Sequence, residues 1–201
     1  MMATTPRPLR PDEKPEIQRP ERRWLPMFGV VAVLMVVVAG GYVVAGVLSE
    51  PAGPPIDVSG VVQIQPLSGW SVAGRGRLGP TGPEFAQLTR GGGSIDVVAY
   101  PGVGGTPEAL AEVYKRTLDV ELARLSVSSR LESVRTATGA RGVRFSYSGV
   151  SPETSAPIDG EVTVIVGPGG DGAALDGWAP AGLLSYASGD IGSMIDAAVV
   201  T

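Results

Sequence analysis

The chain has 201 residues, with 16 basic and 20 acidic side chains, a formal net charge of −4 and 43% hydrophobic residues; its mean hydropathy is +0.19. It contains no cysteine, no histidine and no asparagine. Those absences exclude a disulfide framework, a thiol nucleophile, a lipid-bearing cysteine, a Ser-His-Asp triad, an HExxH zinc helix and an N-glycosylation sequon. The basic residues are 14 Arg and only 2 Lys, and with abundant Ala, Gly, Val and Pro this is the composition of a high-GC genome, of actinobacterial type.

Residues 1–24 carry five prolines and mixed charge with almost no large apolar side chains. Such a segment cannot bury a core and is expected to be a disordered tail. Residues 27–48 then run for 22 positions without a charge. As a helix they would span roughly 33 Å, enough to cross a hydrocarbon core of about 30 Å. With Trp24 at the interface and Pro26 at the first turn, residues 25–48 predict one transmembrane helix. Arg7, Arg10, Lys14, Arg19, Arg22 and Arg23 precede the span, whereas Glu50 and Asp57 follow it and the next basic residue is Arg75. The positive-inside rule places the N-terminus in the cytoplasm and the C-terminal part outside the cell membrane. A cleaved signal peptide would have a shorter apolar run and a small-residue cleavage site. Gly41 and Ala45 form a small-xxx-small pair compatible with a homodimer through this helix, though an ordinary Gly/Ala-rich span accounts for it more simply. Residues 49–60 read as a stiff Pro/Gly spacer.

Residues 61–201 predict an α+β domain. Val61 to Gln65 is a short strand candidate, and Trp70-Ser71-Val72 starts a second. Phe85 to Thr89 and Ser94 to Tyr100 flank Gly91-Gly92-Gly93 as a hairpin. A helix is expected over 107–125: Thr106 is a natural N-cap, Pro107 suits the first position, and Glu108 complements the dipole. Leu110, Val113, Tyr114, Thr117, Leu118, Leu122 and Leu125 make its apolar stripe. Strands are expected near 130–136, around Val143, Phe145 and Tyr147, and over 161–166, ending at the turn Gly167-Pro168-Gly169-Gly170. A last helix starts near Asp190, with Ile191, Met194, Ile195 and Val199 on one face.

Three features together carry a resemblance: Pro66-Leu67-Ser68-Gly69-Trp70 before a hairpin and a long helix, a meander around Gly142-Val143-Arg144-Phe145, and a terminal helix holding Asp190-Ile191-Gly192-Ser193-Met194-Ile195. This order resembles the PsbP-like family, named for extrinsic proteins of photosystem II and found also in bacterial secreted proteins and lipoproteins. The resemblance implies an antiparallel sheet flanked by helices (an α/β/α sandwich) and a binding or adaptor role rather than catalysis. It supplies no catalytic residue.

Chemical motifs are sparse. Gly74-Arg75-Gly76-Arg77-Leu78-Gly79 matches GxGxxG, but Pro80 and Gly82-Pro83 follow where a dinucleotide fold needs a helix, so a flexible arginine-bearing loop is expected. Gly102 to Gly105 precede a helix N-terminus but lack the P-loop lysine, so they read as a helix-entry turn. Asp171, Asp176 and Asp190 have no calcium-loop spacing and read as solvated loop acids. No metal, cofactor or catalytic set is expected. The residues to watch are the aromatics Trp70, Tyr100, Trp178 and Tyr186, as anchors for a partner where exposed, with core or loop packing the simpler account. After the span 10 basic and 16 acidic residues remain, which argues against nucleic acid as a ligand. The expectation is thus a non-catalytic, extracytoplasmic binding module held to membrane lipid by residues 25–48, with an envelope protein or ligand as partner. A carboxylate-dependent envelope glycan- or lipid-acting enzyme and a small-ligand or lipid carrier are the alternatives.

Overall fold

The computed structural model describes residues 53–201. The expected tail, the transmembrane span 25–48 and the first residues of the spacer lie outside the described residues. Among those described, no helix is long and apolar enough to cross a membrane.

Thirteen elements follow in chain order: β1 (Ile56–Val58), β2 (Val62–Ile64), β3 (Ser71–Arg77), β4 (Glu84–Arg90), β5 (Gly93–Tyr100), α1 (Pro107–Glu121), β6 (Ala123–Val127), β7 (Glu132–Arg135), β8 (Arg141–Val150), β9 (Pro157–Val166), β10 (Gly172–Pro180), α2 (Leu184–Asp196) and β11 (Val199–Val200). The main sheet has eight strands in the order β3-β4-β5-β10-β9-β8-β6, with β7 also on β8, and its pairings are antiparallel. α1 covers one face. α2 covers the other, beside a small sheet ordered β1-β2-β11. The expected α/β/α sandwich is therefore present.

Alternation assigns the strands to these two cores. In β5, Ile95, Val97 and Ala99 join the core under α2, while Val98 joins the one under α1. β9 and β10 lie mid-sheet with both faces covered, so Val162 and Val164 face α1 while Ile165, Ala173 and Leu175 face α2. Strands buried on both faces read as near-continuous apolar or small-residue runs instead of an alternation. Two glycines in β10 admit the helices. A Cβ at Gly172 would sit 2.6 Å from Leu110 Cδ2 in α1, and one at Gly177 would meet Ile191 in α2.

Several boundaries differ from expectation. The domain begins at Ile56, inside the stretch read as spacer, because Ile56 and Val58 are buried and Asp57 Oδ1 accepts a 2.8 Å bond from Gly60 N at a tight turn. α1 ends at Glu121, not near 125. Leu122 is extended and Arg124 takes φ +53°, so the backbone of 123–127 pairs with β8 instead. α2 starts six residues before Asp190. No side chain caps it; Leu184 and Ala187 pack on the core and hold its first turns. The GxGxxG stretch is not a loop, since Gly74 to Arg77 pair with Gln87 to Glu84 in β3 and β4.

Candidate functional site

The hairpin β4–β5 turns through Gly91, in the left-handed region at φ +59°, and Gly92. This tip stands opposite the first turns of α2 across a groove of about 760 Å³ lined by Trp70, Arg90, Gly91, Gly92, Gly93, Leu183, Tyr186, Ala187, Gly189, Asp190 and Ser193. Trp70 is buried beneath it. Its indole Nε1 donates a 3.1 Å hydrogen bond to Asp190 Oδ2, and Arg90 Nη1 pairs with the same oxygen. One carboxylate thereby fixes both an aromatic ring and a guanidinium from different parts of the chain. Above this polar base, Leu183 is 46% and Tyr186 86% exposed. Gly93 permits the approach of α2: a Cβ there would lie 2.6 Å from Ala187 Cβ and 3.6 Å from Trp70 Cη2. Chemically the groove offers an apolar rim, an aromatic wall and a paired cation and anion. Such groups can hold a ligand or peptide.

Of the four aromatics singled out from the sequence, Trp70 and Tyr186 meet at this groove. Trp178 and Tyr100 do not. Trp178 lies in β10, a sheet strand instead of a loop, and its Nε1 donates a 2.8 Å bond to Asp96 Oδ2 on the α1 side of the sheet. Tyr100 is half-buried on that side, and its phenol is pushed up to about 12, chiefly by burial, with Glu121 adding to the rise against a hydrogen bond to Thr117. The groove residues Arg90 and Leu183 carried no signal in sequence, since a hairpin-end arginine and a leucine after Gly182 are ordinary.

A second cluster lies beneath α1. Asp96 in β5 and Asp176 in β10 are directly opposed in register. Asp176 is buried, not a solvated loop acid. It accepts from Tyr114 Oη of α1 at 2.9 Å and from Tyr147 Oη of β8 at 3.0 Å. Burial pushes its carboxyl up to about 8, with the negative charges of Asp96 and Glu121 adding and the two tyrosine hydrogen bonds opposing. Asp96 is raised by burial, opposed by its hydrogen bond from Trp178 and by the neighbouring Gln87 amide, and Glu121 is raised by burial and by Asp96. Tyr114 and Tyr147 are raised by burial and by the charge of Asp176. The nearby surface depression lined by Val113, Arg116, Thr117, Val120 and Glu121 includes neither aspartate. Asp190 likewise is no loop acid, being held in α2. Asp171 does sit in a loop, where its Oδ1 accepts from Gly102 N at 2.6 Å and ties that loop to the glycine-rich approach to α1. Among the described residues no group of His, Cys, Asp and Glu is arranged to hold a metal.

No family model and no curated protein matches the sequence. The fold is PsbP-like. Cyanobacterial PsbP (CyanoP) from Synechocystis sp. PCC 6803 is similar with a TM-score of 0.51 at 10% identity, over 74% of this chain and 92% of that one. The Ran-binding protein Mog1p of Saccharomyces cerevisiae is similar at 0.46 and 13% identity, over 75% of this chain and 96% of its own. A protein of unknown function from Pseudomonas aeruginosa, PA94, gives 0.44 and 9%, over 74% and 96%. At these identities the likeness is one of fold.

Proposed function

We propose that this chain is a non-catalytic binding or adaptor module of the cell envelope, of actinobacterial type. It is anchored by a single transmembrane helix, with its N-terminus in the cytoplasm and its folded domain outside. The anchor is supported by the 22 uncharged residues 27–48 and by the basic residues before them. The binding role is supported above all by one observation: the groove at the β4–β5 tip combines an exposed Tyr186, an adjoining Leu183 and a pre-built Trp70–Asp190–Arg90 base. Its volume lies within the roughly 300–1,000 Å³ of ligand sites. The carboxylate-enzyme reading has less support. The two aspartates that converge do so under α1, where tyrosines occupy Asp176, and not in a cleft.

A photo-crosslinking residue in place of Tyr186, installed in the full chain in cells, tests this reading. The expected result is a discrete adduct that is absent when the same residue replaces Val120, an 87% exposed position on α1, and that is lost on Arg90→Ala. No adduct at 186, or equal adducts at both sites, overturns the reading.

A further inference from the structure

The Asp96–Asp176 pair has no role in the groove and is costly where it stands. Opposed residues of an antiparallel pair have Cβ atoms about 4.5–5.5 Å apart, and both side chains lie on the α1 face, Asp176 fully buried and Asp96 part-buried. Among the described residues no basic side chain forms an ion pair with either aspartate. The groups that face them are otherwise neutral or negative. α1 contributes Tyr114 and Glu121; β4 contributes Gln87; β8 contributes Tyr147; β10 contributes Trp178. β9 contributes only apolar residues and Gly160, which admits the Tyr147 ring. Of the cations on α1, Lys115 is taken by Glu112 at 2.7 Å and by the Phe145 ring at 5.2 Å, and Arg116 Nε donates to the Glu112 carbonyl at 3.2 Å. Finally, Asp96 Oδ1 is buried and has no hydrogen-bond partner.

Two adjacent carboxylates in such surroundings cannot both carry charge without a large penalty, and such a pair retains a proton. We propose that Asp96 and Asp176 form a proton-loaded latch, which holds α1 on the sheet while the pair keeps a proton and loosens that helix when both carboxyls ionise. The mechanical link is short. Tyr114 in the middle of α1 bonds directly to Asp176, and Glu121 at its end faces the same pair. When the proton passes to solvent, a second negative charge appears under the helix. Its fuller hydration requires α1 to lift from the buried Asp176.

The sign follows from linkage. Asp176 titrates at about 8 in the fold against an ordinary value of 3.8. The folded state therefore keeps a proton that the unfolded chain sheds. The stability tied to that proton is complete below about pH 4 and is lost as pH rises through 8. The chain has no histidine and no cysteine, so no side chain of ordinary pKa titrates between about pH 6 and 8 to mask the effect.

The test uses the full chain in detergent, comparing amide-exchange protection factors and Tm at pH 6 and pH 9. Protection of α1 amides is expected to fall at least tenfold while β9 and β10 keep theirs, and Asp96→Asn and Asp176→Asn are each expected to flatten the change. Asp96→Asn is the safer variant, since Asp96 has a single described hydrogen bond, from Trp178. A flat wild-type profile, a loss shared equally by α1 and the central strands, or an unchanged pH response in either folded variant overturns the latch.

Discussion

Tyr114 and Asp176 are joined by a 2.9 Å hydrogen bond that ties the middle of α1 to the central strand β10. Both groups are buried, so neither can turn to water when its partner is removed. Losing a partner of a buried polar group costs about 1–3 kcal/mol, more than the net worth of an average hydrogen bond. Tyr114→Phe is therefore expected to lower stability by about 1–3 kcal/mol at pH 6, with an unchanged m-value in urea unfolding. It also removes a donor that favours the charged carboxylate, so the apparent titration of Asp176 is expected to move further up. A change below about 0.5 kcal/mol in the urea midpoint analysis would mean that the bond contributes little.

Gly172 and Gly177 make β10 thin where the helices press on its two faces. Gly172→Ala drives a methyl against Leu110 Cδ2 of α1, and Gly177→Ala drives one against Ile191 of α2. Overpacking of this kind costs about 1–3 kcal/mol each. The two sites are five residues apart on opposite faces and share no neighbour in these contacts, so the double variant is expected to lose the sum within about 0.5 kcal/mol. Chemical denaturation of the two single variants and the double variant checks this. A large departure from additivity would show that the two cores are coupled through the strand.

Much of this architecture is legible in residue pattern. Thr106-Pro107-Glu108 marks the start of α1 because capping chemistry is local, and Thr106 Oγ1 indeed accepts from Ala109 N at 3.3 Å. The β4–β5 hairpin and the Val143-Phe145-Tyr147 face are legible because alternation is local too. β10 is not. Its sequence, Gly172-Ala-Ala-Leu-Asp-Gly-Trp-Ala-Pro180, lacks β-branched residues and alternation, and its small residues serve two helices that lie distant in sequence. Missing β10 turns Asp176 into a loop acid and Trp178 into a loop aromatic. The first half of α2 is hidden for a similar reason: Ser185, Ser188 and Gly189 are weak helix formers, and tertiary packing overrides their propensity. The groove is half legible. Trp70 and Tyr186 stand out as aromatics, but only the fold brings Arg90 and Asp190 to the same indole.

The proposed orientation makes its own demand. With residues 25–48 spanning the bilayer and the arginines before them inside, protease added to intact cells should remove the folded domain while an N-terminal tag stays protected. Western blotting for tags at both ends reads the result. Protection of the C-terminal tag, or release of the full chain into the soluble fraction without detergent, would refute the anchor.

Asp190 separates the stability of the groove from its binding. The Arg90–Asp190 pair is partly exposed, with side-chain accessibilities of 32% and 26%, and ion pairs of that kind contribute about 0–1 kcal/mol. Asp190→Asn keeps an oxygen for the Trp70 indole and removes only the charge that holds Arg90. It is expected to shift stability by less than about 1 kcal/mol, yet to release the guanidinium from the base of the groove and abolish the Tyr186 crosslink. Gly93→Ala acts by shape instead. Its methyl meets Ala187 and Trp70, which should displace the start of α2, costing about 1–3 kcal/mol as well as the crosslink. Measuring both variants by urea unfolding and by crosslinking yield distinguishes the causes, because only the charge variant should lose capture while keeping its fold. Equal capture by Asp190→Asn and the unmodified groove would remove Arg90 and Asp190 from any part in recognition.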